Sequence, residues 1–107
     1  MALISTHALD TSVGRPAAGV AVRLELAAGD GWIEVARAVT DDDGRVRSLA
    51  EPTEGGTYRL TFDTGAYLGP DAFYPEVVVV FAIADAAAHH HVPLLLSPFG
   101  YTTYRGS

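Results

Sequence analysis

The sequence predicts an all-β sandwich, and three observations carry that expectation. Short stretches alternate apolar and polar side chains with a period of two, the mark of strands with one buried face. Clusters rich in Gly, Asp and Pro separate them at short intervals. Only residues 64–75 leave room for a helix, and a short one. About eight short strands, little helix and no internal repeat describe an antiparallel β-sandwich.

Taken in order, residues 3–9 form a strand with Leu3, Ser5, His7 and Leu9 on one face. Residues 10–16 (DTSVGRP) are turn formers. Residues 19–26 alternate cleanly, with Val20, Val22, Leu24 and Leu26 on one face and Ala21, Arg23 and Glu25 on the other. Asp30-Gly31 supplies a tight hairpin turn, and residues 32–40 return. A second turn, Asp41-Asp42-Asp43-Gly44, leads into Arg45-Val46-Arg47, whose two arginines share a face. Tyr58, Leu60 and Phe62 then alternate with Arg59, Thr61 and Asp63. The glycines and prolines of residues 64–75 mark a loop, with a helical turn expected at residues 71–74. Residues 76–84 (EVVVVFAIA) are apolar on both faces, which predicts a strand covered on its outer side by another subunit. Residues 92–96 begin a last hairpin that runs on toward Ser107.

Composition narrows the chemistry. The 107 residues suffice for a single domain, 1–107, burying roughly 60–70 % of its unfolded surface. Cysteine is absent, which excludes thiol nucleophiles and Cys-ligated zinc and fits a reducing compartment. All seven basic residues are arginine, so Schiff-base chemistry is excluded. A net charge of −6 argues against nucleic acid as a partner. The longest apolar run, residues 77–84, is far shorter than the roughly 20 residues of a spanning helix. The N-terminal stretch MALISTHALD has no positive leader region. The expectation is a soluble, cytoplasmic chain without a membrane partner.

Candidate chemistry gathers at the ends of the sequence. His89 and His91, two apart on a strand, face one way while His90 faces the other. With His7 as a third imidazole they match a zinc geometry. The alternative is a metal-free site in which neutral imidazoles move protons and an arginine handles negative charge. Spacing alone leaves both open. The acidic run 41–43 lacks the later ligands of an EF-hand loop, which sets calcium aside. It either neutralises Arg45 and Arg47 or leaves one of them to clamp an anion.

Four ordered pieces, STHALD with GRPAAGVAV behind it, TDDDGRV, and HVPLLLSPFGYTTYRGS, resemble the transthyretin-related 5-hydroxyisourate hydrolases nearly end to end. The most specific part is the terminal Tyr-Arg-Gly-Ser, which separates these hydrolases from transthyretin, the hormone carrier of the same fold. The family commonly reads His-Tyr-His where this chain has His89, His90 and His91, and a serine where it has Thr102. The resemblance implies a transthyretin-like sandwich of two four-stranded sheets, assembled as a homotetramer with active sites at the dimer–dimer interface. It implies hydrolytic opening of 5-hydroxyisourate in urate degradation, with no metal and no organic cofactor.

Carried over residue by residue, the resemblance makes His7, Arg45 and His91 the catalytic set, and His7, Arg45, Tyr104 and Ser107 the substrate-binding set. One of His7 and His91 is the general base and the other orients water or passes the proton on. Arg45, rather than Arg47, holds the anionic ring. Gly106 is expected to permit a sharp backbone turn before the last residue. Two rival readings predict different behaviour: a small-ligand-binding module of the same fold, and a zinc hydrolase using His7, His89 and His91.

Overall fold

In the computed structural model, residues 3–107 are described. Met1 and Ala2, part of the stretch read above for a leader, lie outside them. Two sheets face each other. One has the order β4-β3-β6-β7, from Gly31–Val39, Ala21–Ala28, Gly56–Phe62 and Val77–Ile83. The other is built on β1 (Ile4–Asp10), with β8 (His90–Ser97) and then β9 (Gly100–Thr103) on one side. Along the other side of β1 lie β5 (Arg45–Ala50) and the two-residue β2 (Arg15–Pro16), sharing that edge end to end. The second sheet is therefore four strands wide, as expected, although β2 brings the strand count to nine.

Neighbouring strands run antiparallel with one exception. β1 and β8 are parallel, in register from Ile4↔His90 through Ser5↔His91 to Asp10↔Leu96. This pairing joins the two ends of the sequence, and it puts the polar face of β1 beside the polar face of β8.

Alternation decides which face is which. Ile4, Ala8, Val92, Leu94 and Leu96 point inward from the second sheet and meet Val22, Leu24, Tyr58, Leu60, Phe62 and Val77 from the first. These side chains are fully or almost fully buried, and each Val, Leu, Ile and Phe among them contributes about 1.5–3 kcal/mol relative to exposure. Ser5, His7 and His91 belong to the opposite, outward face.

The short helix falls earlier than residues 71–74. It is α1 (Thr64–Leu68), starting directly after β6 because the Asp63 side chain accepts a hydrogen bond from the Ala66 amide at 3.2 Å. It ends at Gly69, and Pro70 follows. Tyr67 on α1 donates from its hydroxyl to Asp10 Oδ2 at 2.8 Å, tying the helix to the end of β1. Burial pushes the Asp10 carboxyl up, but hydrogen bonds from Ser12 and Tyr67 outweigh it and hold the group below its ordinary 3.8. On β7, Val77, Val79 and Ile83 are buried while Val78 and Val80 face outward and remain exposed. No helix among the described residues is long and apolar enough to cross a membrane.

Candidate active site

The outward face of the β1–β8 sheet carries most of the residues singled out from the sequence. Arg45 lies directly opposite His7 on the neighbouring strand. Gly44 makes this approach close. Its carbonyl runs against β1, accepting from the Ala8 amide at 2.7 Å, while its amide closes the turn by donating to the Asp41 carbonyl at 2.9 Å. A side chain at Gly44 would collide with the Ala8 carbonyl, and its φ of +74° is one that only glycine adopts readily.

The acidic run behaves differently toward the two arginines. Asp43 pairs with Arg47 at 3.7 Å, on the exposed surface. Asp41 spends its side chain on the backbone, accepting from the amides of Asp43 and Arg45 at 2.9 Å each. Among the described residues the Arg45 guanidinium has no carboxylate partner. It is the arginine left available for an external anion.

His91 lies across β1 from Ser5, and its Nδ1 is 2.8 Å from Ser5 Oγ. The same hydroxyl is 2.9 Å from His89 Nε2. The buried His90 turns the other way and donates from Nδ1 to the Ala88 carbonyl at 3.0 Å, as the alternation required. His7 places Nε2 2.9 Å from the Asp43 carbonyl. A carbonyl only accepts, so this nitrogen carries a proton and His7 keeps only Nδ1 for other chemistry. His91 Nε2 has no hydrogen-bond partner among the described residues. Burial, with Arg45, His7 and His89 nearby, pushes the His91 imidazolium below its ordinary 6.5, against a smaller opposing effect of hydrogen bonding to the Ser5 backbone.

A cavity of about 260 Å³ opens among Ser5, Thr6, Arg45, Arg47, His89, His91 and Ser107. Of the predicted set, Arg45, His91 and Ser107 line it together. His7 stands beside it through its pairing with Arg45. Tyr104 does not line it. It borders a neighbouring groove of about 300 Å³, with residues 79–82 of β7 and with His91, which lines both hollows. The three imidazoles of the zinc reading do not converge: His89 and His91 turn to Ser5, and His7 turns to Asp43. No group of three His, Asp or Glu side chains among the described residues is placed to hold a metal ion.

Two features of the site escaped sequence reading. Ser5 was placed on the correct face but not connected to the histidines, because only the parallel register of β1 and β8 brings it to His91. Gly106 was expected to permit a sharp turn, yet it is not among the positive-φ glycines. Its requirement is close approach: its amide donates to the His91 carbonyl at 2.8 Å, and a Cβ there would stand 2.5 Å from His91 Cδ2.

Comparison with known proteins agrees with this architecture. The HIUase/Transthyretin family model matches residues 4–106. A 5-hydroxyisourate hydrolase of Mus musculus is 47% identical over 111 residues, 97% of this chain and 94% of that protein. The structure of Klebsiella pneumoniae 5-hydroxyisourate hydrolase superposes with a TM-score of 0.84 at 39% identity, covering 97% of this chain and 98% of that one. Sea bream transthyretin, solved in complex with thyroxine, superposes with a TM-score of 0.89 at 35% identity over 96% of this chain and 93% of that one. The chain belongs to the HIUase/Transthyretin family.

Proposed function

We propose that this protein hydrolyses 5-hydroxyisourate to 2-oxo-4-hydroxy-4-carboxy-5-ureidoimidazoline, a step of urate degradation in purine metabolism. Its relatives at 44–47% identity carry the hydrolase name over nearly the whole chain. The observation that carries the reading is the pairing of an unengaged His91 Nε2 with an unpaired Arg45 on one cavity. A hormone carrier has no need of that combination.

The reaction opens a cyclic amide. His91 Nε2 takes a proton from water as the water oxygen attacks the ring carbonyl. The lowered basicity of His91 keeps it neutral, and so able to accept, at neutral pH. Arg45 binds the anionic ring in its planar fork and offsets charge developing on the carbonyl oxygen. His7, anchored through Nε2 to the Asp43 carbonyl, orients the water with Nδ1. The proton held by His91 passes to the ring nitrogen as the C–N bond breaks. Ser107 hydrogen-bonds the substrate within the cavity, and Tyr104 does so at its rim, from the neighbouring groove that His91 also lines. No metal or organic cofactor takes part.

The site is an open sheet face, and β7 presents Val78 and Val80 outward. Both features support a homotetramer in which the sites close where two dimers meet. The same reading makes the chain a single-domain enzyme of the cytoplasm, in keeping with its lack of cysteine.

Ultraviolet decay of freshly generated 5-hydroxyisourate, measured against its spontaneous decay, tests the activity. Acceleration in proportion to protein concentration is expected. Its absence from folded, tetrameric protein would favour a ligand-binding module. Activity lost on chelation and restored by zinc would favour the zinc hydrolase.

A further inference from the structure

The hydroxyl of Ser5 stands between two imidazoles, 2.8 Å from His91 Nδ1 and 2.9 Å from His89 Nε2. Ser5 is buried, and the in-register pairing of β1 with β8 fixes it opposite His91. A hydroxyl owns one proton. It can donate to one ring and must then accept from the other, so the tautomers of the two histidines are not independent.

Where the Ser5 proton is spent on one of the two rings, two arrangements exist for neutral rings. A third, in which both rings donate to the hydroxyl, also leaves His91 Nε2 bare but carries no relay. In the first, Ser5 donates to His91 Nδ1 and accepts from His89 Nε2–H. His91 then carries its proton on Nε2 and has no nitrogen left with which to accept one. In the second, His91 Nδ1–H donates to Ser5 and Ser5 donates to His89 Nε2, which leaves His91 Nε2 bare. Arg45 lines the same cavity as His91, and a cation there favours a lone pair rather than an N–H turned toward it.

We propose that Ser5 is the positioning residue that selects the Nδ1–H tautomer of His91 and links it through its hydroxyl to His89, which serves as the outer end of a proton relay. This deepens the hydrolase reading and rests on it for the kinetic consequences. When water attacks, its O–H bond breaks and a bond forms between hydrogen and His91 Nε2. The Nδ1 proton moves to Ser5 Oγ, and the Ser5 proton moves to His89 Nε2. The positive charge then resides on His89, which is exposed to solvent, rather than on a half-buried ring beside Arg45 and His7. Reversal of the relay returns the proton through His91 Nε2 to the departing ring nitrogen, and all three groups regain their starting states. Gly106 holds the opposite flank of the ring, since any side chain there would strike His91 Cδ2.

Imidazole ¹⁵N spectroscopy of histidine-labelled protein above the His91 transition reads the tautomers directly and needs no substrate. The wild-type protein is expected to show His91 with Nδ1 protonated and Nε2 bare, and Ser5→Ala is expected to abolish that preference. Wild-type His91 with its proton on Nε2, or an unchanged His91 spectrum in Ser5→Ala, would overturn the proposal. In turnover, Ser5→Ala should lower kcat at least tenfold with KM changed less than threefold. Ser5→Thr, which keeps the hydroxyl on a strand position suited to threonine, should recover most of it. Equal losses in the two variants would show that Ser5 acts by packing alone and would also overturn the proposal. Lack of 5-hydroxyisourate turnover in the wild type would count against the hydrolase reading, while the tautomer measurement would still decide the role of Ser5.

Discussion

The outer faces of the two sheets make a useful comparison, because the larger hollow is on the less reactive one. On the β4-β3-β6-β7 sheet a cavity of about 620 Å³ is bordered by Arg23, Arg37, Asp63 and Glu76. Its two arginines are paired with carboxylates on their own strands. Glu25 holds Arg59 at 2.8 Å and Arg23 at 3.4 Å, Glu34 holds Arg37 at 2.7 Å, and Arg59 also lies over the Trp32 ring. Arg23 and Arg37 are directly opposite across β3 and β4, as are Glu25 and Glu34. The like-charge repulsion across the strands is offset by opposite charges along them. On the β1–β8 sheet the cavity is less than half that volume, yet among the described residues Arg45 has no carboxylate partner and His91 Nε2 has no hydrogen-bond partner. Arg23 Nε on the larger cavity also lacks a hydrogen-bond partner among the described residues, but its charge is paired with Glu25. A cation without a carboxylate beside a bare imidazole nitrogen, rather than volume, marks the face prepared for a ligand.

The comparison can be broken most sharply at His91. His91→Asn keeps a side-chain donor near Ser5 but removes Nε2, and kcat is expected to fall by more than about 100-fold, the usual share of a general base. Steady-state kinetics on folded protein with wild-type sedimentation checks this. A loss below fivefold would move the base elsewhere, with His7 as the alternative.

Removal of Arg105, Gly106 and Ser107 follows. The truncated chain should keep the circular dichroism and sedimentation of the full chain while losing most of its turnover. The tail braces the His91 ring, and a displacement of about 1 Å can cost 10²-fold. Wild-type turnover would remove the tail from the site.

Arg45→Lys keeps a charge but loses the planar fork, and a loss above about tenfold, roughly 1.4 kcal/mol of transition-state stabilisation, is expected. Arg47→Lys, whose partner is the exposed Asp43, should cost less than about twofold. Equal effects at the two positions would contradict the distinction drawn from their partners.

The smallest effect belongs to the other face. Glu25→Gln removes the shared partner of two arginines and should lower the melting temperature modestly while leaving kcat/KM unchanged. A comparable loss of turnover there would mean that the two faces are not functionally separate.

Much of this contrast was legible in the sequence, and the reason is periodicity. Alternation placed Ser5, His7 and Leu9 together on β1, separated His90 from its neighbours, and distinguished the buried Tyr58, Leu60 and Phe62 from Arg59 and Thr61. Local rules fail where the partner is distant in the chain. Nothing near Ser5 indicates that a parallel strand 86 residues on will bring His91 to its hydroxyl. The role of Gly106 depends in the same way on a tertiary approach rather than on its own backbone angle. The helix was misplaced for a local reason. The glycines and prolines of residues 64–75 indicate only a loop, while the signal that starts the helix is the Asp63 cap just before it.

The most direct measurement of the central claim is kcat/KM for 5-hydroxyisourate as a function of pH from 5 to 8, with spontaneous decay subtracted. The His91 imidazolium is held below its ordinary 6.5 by burial and by Arg45, so the ring stays neutral to lower pH than a free histidine. Activity should therefore be level near neutrality and fall only as pH drops through a midpoint below 6.5. The low-pH limb should be absent from the residual activity of His91→Asn. A flat profile across this range in the wild-type enzyme, or the same limb in both proteins, would contradict the account.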